Sequence, residues 1–212
     1  MKTASSFSRK IESVEELRAI LGEPSEVVQR KTIHYIDEHC RDFISKSSFV
    51  VLSTSDDQGF CDASPRGDSP GFVKILNEKT IIIPERPGNK RVDSMRNIVA
   101  NPNVGLLFFI PGLGETLRIN GKAVLIQDEE ILKEMAVKGK VPMIGIAVEA
   151  DECYVHCAKA FMRSGLWQPD SWMDRDELPS AAKMIKAHAQ LKDFTVEQLE
   201  ERLAKGYRDQ LY

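Results

Sequence analysis

The sequence predicts a mainly β fold with flanking helices, arranged as a small Greek-key-like barrel of six to seven antiparallel strands. Between residues 48 and 156, short β-branched and aromatic runs alternate with turn signals. Only two helical stretches interrupt these runs, one after Pro87 and one over 128–135. Because a parallel sheet needs a long crossover, usually a helix, between successive strands, this pattern favours antiparallel pairing.

Length and composition fit one domain over 1–212, with a barrel at about 46–157 between a helical N-terminal extension (about 11–45) and a helical C-terminal extension (about 158–212). The chain is 42% hydrophobic and carries a net charge of −3. An acidic balance disfavours nucleic acid as a partner. The sequence offers no apolar run long enough for a signal peptide or a membrane span, so we expect a cytoplasmic protein without membrane contact.

Two helices are predicted ahead of the barrel. Ser13 and Glu16 have the spacing of a capping box, and Gly22 is a typical helix end. A second helix is predicted from Ser25 to about Phe43, because apolar or neutral residues recur there at every fourth position. These residues are Val28, Thr32, Ile36 and Cys40.

The barrel is predicted to begin with a hairpin, in which a strand over 48–54 turns at 56–59 and returns over 60–67. Pro65 lies in the returning strand, where it removes a hydrogen-bond donor and therefore requires an edge or a bulge. The remaining strands are predicted at 72–76, 79–83, 104–110, 115–127 and 142–156.

An anion site is predicted where the strand that begins near Thr80 runs through a Pro/Gly turn into a basic segment. The first turn of a helix has unpaired N–H groups and a partial positive charge, which together hold phosphate. Asn89, Lys90 and Arg91 add side-chain donors at this junction. The alternative interpretation of these residues is a solvated basic loop.

Two further basic groups flank Gly, Ser or Pro: Arg66, and Lys159 with Arg163. Taken together in an acidic protein, these groups favour a phosphorylated small-molecule ligand. Cys153 and Cys157 have poor spacing for zinc, so no metal is predicted and both are interpreted as small packing residues. No hydrolase triad, Walker loop or dinucleotide fingerprint is present, so redox chemistry would need a bound cofactor.

Several sequence blocks together resemble the pyridoxamine 5′-phosphate oxidase-related FMN-binding proteins, over about residues 43–167. The resemblance implies an FMN-binding split β-barrel that forms a homodimer, with two FMN sites at the subunit interface. The blocks are Ser64-Pro65-Arg66-Gly67-Asp68, residues 86–91, residues 101–108, residues 114–121 and residues 153–167.

The resemblance also implies a set of cofactor contacts, in four groups. The phosphate grip matches Lys90 and Arg91, supported by Asn89. The strand along the isoalloxazine edge matches Ser64, Pro65 and Arg66, and the strand facing the flavin carries Thr116 and Arg118. From the partner subunit, the expected contacts are Lys159, Arg163, Ser164 and Trp167.

The resemblance favours an FMN-dependent oxidoreductase whose substrate, electron donor and catalytic residues the sequence does not identify. The alternative is a non-catalytic flavin- or haem-binding protein for storage or redox sensing, with His156 as the haem candidate. Residues 204–212 lack the Arg-rich motif with which true pyridoxamine phosphate oxidases end. Oxidation of pyridoxamine phosphate itself is therefore not the expected activity.

Overall fold

The computed structural model describes residues 6–212, and the chain forms two compact units that divide between Thr32 and Ile33. The assignment of 1–212 to a single domain stays a prediction. The absence of a signal peptide was inferred from a stretch that includes residues 1–5, which lie outside the described residues.

The first unit contains helices α1 (Val14–Leu21) and α2 (Glu26–Arg30). The predicted start and end of α1 are confirmed. The Ser13 hydroxyl accepts a hydrogen bond from the Glu16 amide (3.1 Å), and Gly22 ends the helix at φ 75°. Because α2 ends at Arg30, the prediction of one continuous helix from 25 to about 43 is wrong.

Two local signals explain the break in that helix. Ile33 exchanges two backbone hydrogen bonds with Cys153 (3.0 and 2.7 Å), so the chain is extended at this point. Asp37 then caps a new helix, α3 (Glu38–Lys46), by accepting a hydrogen bond from the Cys40 amide (2.8 Å). An Asp at an N-cap outweighs a four-residue apolar repeat, since it satisfies an amide that would otherwise have no partner.

The second unit is built on one seven-stranded sheet in the order β2-β1-β5-β6-β7-β4-β3, with every neighbouring pair antiparallel. The predicted fold class is therefore confirmed, and all seven predicted strands are present. The strands are β1 (Phe49–Ser55), β2 (Cys61–Gly67), β3 (Lys74–Ile75), β4 (Thr80–Pro84), β5 (Asn103–Phe109), β6 (Thr116–Ile126) and β7 (Gly145–His156). The remaining α-helices are α4 (Asp93–Ala100), α5 (Glu129–Glu134), α6 (Lys159–Ser164), α7 (Ala181–His188) and α8 (Val196–Asp209).

The core lies against one face of β1, β5, β6 and β7 and surrounds β4. Val50 and Leu52 of β1 are fully buried and alternate with more exposed residues, as expected for a strand with one face in the core. Ile81, Ile82 and Ile83 of β4 are all fully buried, so this strand is covered on both faces. Packing on both faces therefore fixes the position of β4, and with it the start of the segment that follows Pro84.

Strand β2 lies at one edge of the sheet and pairs only with β1. This confirms the edge position that Pro65 requires, because no second neighbour needs its missing N–H. A second irregularity lies in β6, where the pairing with β7 shifts register between Asn120 and Gly121. A Cβ at Gly121 would lie 2.0 Å from the Glu149 carbonyl oxygen, so this bulge admits only glycine.

We predict that Gly121→Ala lowers the free energy of unfolding by about 3 kcal/mol, since the backbone of β7 must move to admit the methyl group. The matched control is Gly206→Ala in α8, where an added Cβ meets nothing within 4 Å. That variant should gain up to about 1 kcal/mol from helix propensity. Urea unfolding at constant m-value measures both, and equal midpoints for the two variants would contradict the assignment of the bulge.

Candidate functional site

The predicted ring-edge residues lie on β2, whose side chains alternate between two faces. Ser64 and Arg66 are half-buried on the same face as Asp62, whereas Pro65 is exposed on the other face. Successive side chains of a strand point to opposite sides, so all three cannot contact one ligand through their side chains. Ser64 and Arg66 can act together.

An ion pair holds the Arg66 side chain in place, but one of its N–H donors has no partner within the described chain. Its side chain is only 14% exposed, and its Nη1 is ion-paired with Glu85. Its Nε is buried and has no hydrogen-bond partner among residues 6–212. Because leaving a buried donor unpaired is costly, this N–H is a candidate contact for an acceptor atom of a ligand.

A second ion pair joins the end of β2 to the segment after β4, and here the cation comes from the segment after β4. Arg86 Nε donates to Asp68 Oδ2 (2.7 Å), and the Tyr212 hydroxyl donates to Asp68 Oδ1 (2.8 Å). The Asp68 side chain is 1% exposed. Burial raises the pKa of this carboxyl, but hydrogen bonds from the Ser69 amide and from Tyr212, together with the charge of Arg86, outweigh it and hold the pKa below its usual range.

The predicted phosphate grip lies in an exposed loop ahead of α4. The predicted helix is present, but it begins at Asp93, after the Asn89-Lys90-Arg91 segment rather than within it. Arg91 donates from Nε to Asp93 Oδ2 (2.7 Å), which raises the pKa of its guanidinium. Lys90, at φ 62°, forms no ion pair with any described residue. Of the two grip cations, Lys90 is therefore the uncompensated one.

The loop and β2 meet through α4. Ser94, buried in the first turn of α4, donates from its hydroxyl to Asp62 Oδ2 (2.6 Å). Asp62 shares its face of β2 with Ser64 and Arg66. The structure thus brings the predicted ring-edge pair and the predicted phosphate loop to the same side of the sheet.

The remaining strand residues lie on the opposite face. The register places Thr116 opposite His156 and Arg118 opposite Tyr154. Arg118 Nη1 donates to the Tyr154 hydroxyl (3.0 Å), and its guanidinium carbon lies 5.7 Å from the centre of that ring. No ion pair of Arg118 is found in the part of the chain that the structure describes. A half-buried cation that faces a phenol rather than a carboxylate is available to an anionic group.

The C-terminal block continues this opposite face with an aromatic cluster. Trp167 stacks on Phe161 (5.8 Å between ring centroids, 18° between planes), and Phe161 contacts Phe109 (5.8 Å). The Trp167 indole N–H also donates to the Leu113 carbonyl (2.8 Å). Three predicted contacts are exposed in α6 itself: Lys159, Arg163 and Ser164.

Sequence reasoning assigned no role to Glu85, Asp68 or Tyr212. Glu85 directly follows β4, in which Ile81, Ile82 and Ile83 are fully buried, and Asp68 directly follows the edge strand. Charged residues at the ends of buried strands are a usable signal, since they can be held rigidly. Nothing in the local sequence indicates the contact of Tyr212, which lies far along the chain.

The described residues contain no cluster of His, Cys, Asp or Glu that could hold a metal ion. All four cysteines are free thiols, with Cys153 fully buried in the core and Cys157 exposed. The packing role predicted for Cys153 is confirmed and that for Cys157 is wrong, because Cys157 follows the end of β7. Among residues 6–212, none of the helices combines the length and the apolar character needed to cross a bilayer.

Two open depressions lie away from the predicted residues. One, of about 520 Å³, lies between α7 and α8, and the other, of about 450 Å³, is lined by His34, Asn120 and Glu152 among others. Neither is lined by a predicted cofactor contact.

We predict that Asp68→Asn lowers the free energy of unfolding by about 2 kcal/mol at pH 7, because Arg86 loses a charged partner in a nearly dry site. The folded-state pKa of Asp68 lies below its unfolded value of about 3.9, so its contribution is present above that value and is lost as pH falls through the folded pKa. Urea unfolding from pH 7 to pH 3 measures this. If the free energies of unfolding of Asp68→Asn and wild type differ as much at pH 3 as at pH 7, the prediction is contradicted.

Comparison with solved structures gives distant similarities. A variant of HupZ from Group A Streptococcus is 18% identical, with a TM-score of 0.47 over 57% of this chain and 99% of that chain. An FMN-binding protein from Syntrophomonas wolfei is 14% identical, with a TM-score of 0.45 over 68% of this chain and 97% of that chain. At these values neither structure indicates a function for this chain. No match to a curated protein was found.

The decisive comparison is with protein families. The sequence model described as pyridoxamine 5′-phosphate oxidase matches residues 36–157. The match runs from just before α3 to the residue after β7, which is more than half of the 212 residues and includes the whole sheet. The chain therefore belongs to the pyridoxamine 5′-phosphate oxidase family.

Proposed function

We propose that this protein binds FMN and acts as an FMN-dependent oxidoreductase of the pyridoxamine phosphate oxidase class, as a homodimer with its flavin sites at the subunit interface. The observation that carries the proposal is the buried Nε–H of Arg66, which lacks a partner among the described residues and lies within the segment that matches the family. The four free thiols fit a reducing compartment and support a cytoplasmic location.

The donors on the α4 side of the sheet fit a flavin phosphate and ring edge. Lys90 supplies an uncompensated charge for the phosphate, and Arg91 can contribute if it shares or leaves Asp93. Arg66 Nε and the Ser64 hydroxyl would donate to acceptor atoms of the flavin ring. When bound, FMN would supply the two-electron hydride chemistry that no side chain can perform.

Arg118 supplies the second electrostatic feature of the proposed site. It is a fixed, half-buried cation, oriented by the Tyr154 hydroxyl and not neutralised by any described carboxylate. Such a charge stabilises negative charge that develops on a bound group during reduction, and it needs no reorganisation to do so. We assign Arg118 this electrostatic role and Tyr154 the role of orienting it.

The positions of the predicted contacts on the two faces of the sheet support a homodimer. Arg66 and the Lys90 loop lie on one side, whereas Arg118 and Trp167 lie on the other, so one protomer does not present all of them to one ring. A second copy would bring its own outer face to the first. Exposed apolar side chains in α6, such as Met162 (72% exposed), are available for this contact.

The phosphate grip is tested with Lys90→Ala/Arg91→Ala. Loss of two charge-assisted contacts should raise the Kd for FMN about a hundredfold and leave the Kd for riboflavin, which has no phosphate, nearly unchanged. Quenching of flavin fluorescence measures both constants. The matched control, Arg202→Ala/Lys205→Ala on the exposed surface of α8, removes the same charge. Wild-type protein that is colourless and does not bind added FMN would contradict the flavin proposal.

Anaerobic addition of NADH or NADPH to the flavin-loaded protein separates an enzyme from a binder. In the enzyme, the visible flavin absorbance should bleach, and Arg118→Gln should slow bleaching about tenfold while FMN affinity changes little. Tyr154→Phe keeps the Arg118 cation and loses only the hydroxyl that orients it. Its rate of flavin bleaching should therefore lie between those of the wild type and Arg118→Gln. If no reductant bleaches the flavin, the non-catalytic storage or sensing role replaces the enzyme.

A further inference from the structure

Tyr212 is joined to the base of the basic loop through one carboxylate. Its hydroxyl donates to Asp68 Oδ1 (2.8 Å), and Asp68 Oδ2 accepts from Arg86 Nε (2.7 Å). The Asp68 side chain is almost fully excluded from solvent and the Arg86 side chain is 16% exposed. Hydrogen bonds to a buried charge are stronger than those between neutral groups, so this three-residue chain is a firm connection.

The Tyr212 ring is also held by cations from two parts of the chain. The Arg86 guanidinium carbon lies 5.8 Å from the ring centre, and Lys138 Nζ lies 5.1 Å from it. Lys140 donates to the backbone oxygen of Tyr212. Cations over an aromatic face are attracted to its negative quadrupole. Tyr212 therefore bridges the segment after β4 and the segment between α5 and β7.

The position of Arg86 makes this bridge relevant to the loop. Arg86 lies four residues before Lys90, and residues 87–92 are all exposed. Glu85 is tied to Arg66 by an ion pair, and its amide donates to the Ile144 carbonyl (2.9 Å). The Arg86 contacts to Asp68 and Tyr212 are thus the last tethers of the loop to the barrel before the chain becomes exposed.

We propose that Tyr212 is a positioning residue, which fastens the Asp68–Arg86 pair and through it sets the conformation of loop 85–92 that carries Lys90 and Arg91. The connection of the loop to a phosphate rests on the proposed function, but the fastening itself does not. A tyrosine is required rather than a phenylalanine because the hydroxyl supplies the bond to the buried carboxylate. The same bond raises the pKa of the Tyr212 hydroxyl.

The fastening is tested without flavin by limited trypsin digestion of the full chain. Lys90 and Arg91 provide cleavage sites within the loop, whereas the Arg86 bond is protected by the following Pro87. Tyr212→Phe keeps the ring and removes the hydroxyl, and it should speed nicking after Lys90 and Arg91 about tenfold, because cleavage follows the open population of the loop. Mass spectrometry of the fragments measures the rates.

Two controls separate fastening from general loss of structure. Tyr207→Phe alters a tyrosine of α8 that is 68% exposed and should leave loop nicking at the wild-type rate. Cleavage after Arg30, in the first unit, serves as the internal reference and should not change in Tyr212→Phe. Loop nicking of Tyr212→Phe at the wild-type rate, or a rise matched at Arg30, would overturn the proposal.

Flavin protection then tests the loop's proposed ligand separately. FMN should slow loop nicking of the wild-type protein in proportion to its occupancy, and riboflavin should not, because only FMN carries the phosphate. If Tyr212→Phe accelerates nicking but FMN gives wild type no protection, the fastening stands and the phosphate site fails. If FMN protects but Tyr212→Phe nicks like wild type, the phosphate site stands and the fastening fails.

Discussion

Two crossed ion pairs close this sheet upon itself, and the candidate site depends on them. Arg66 of β2 pairs with Glu85, and Asp68 just beyond β2 pairs with Arg86. In the sheet order, β2 is an edge strand and β4 lies next to the opposite edge, so these strands are not neighbours. Side chains at the two ends of the order can meet only because the twisted sheet curls. The pairs fix how far it curls.

The energetic value of these pairs lies in specificity more than in net stability. A buried ion pair recovers little more than the desolvation of its two charges, but removal of one partner leaves the other charge stranded. The two pairs have opposite polarity: β2 supplies the cation of one pair, and the segment after β4 supplies the cation of the other. A shift of one residue between these two parts of the chain would therefore place Arg66 next to Arg86, and the two cations would repel each other. The closure therefore admits one alignment of β2 with the segment leaving β4. That alignment sets the position of Arg66 Nε and the point at which the loop after β4 begins.

Local patterns in the sequence predicted the strands and the bounds of α1, but not the contacts that only the folded chain creates. Alternating apolar runs located all seven strands, and a capping residue located the start of α1. The four-residue repeat through Ile36 indicated one helix, but pairing of Ile33 with the distant Cys153 draws the chain into an extended bridge. In the candidate site, Arg66 was identifiable from its Pro and Gly surroundings and from the family resemblance. Its counter-charge, Glu85, was not, because that ion pair forms across the closed sheet.

Charge compensation separates cations whose charge is neutralised within the fold from cations whose charge is available to a ligand. Arg66 and Arg86 each have a carboxylate at their guanidinium, and both lie at the closure of the sheet. Lys90 and Arg118 have no ion pair among the described residues, although the chain as a whole carries a net charge of −3. An acidic protein that leaves these two cations without counter-charges, one in the loop and one half-buried, has positive potential available at both faces of the sheet. In the proposed homodimer, an extended anion that reached both cations would satisfy that potential better than two small ions could.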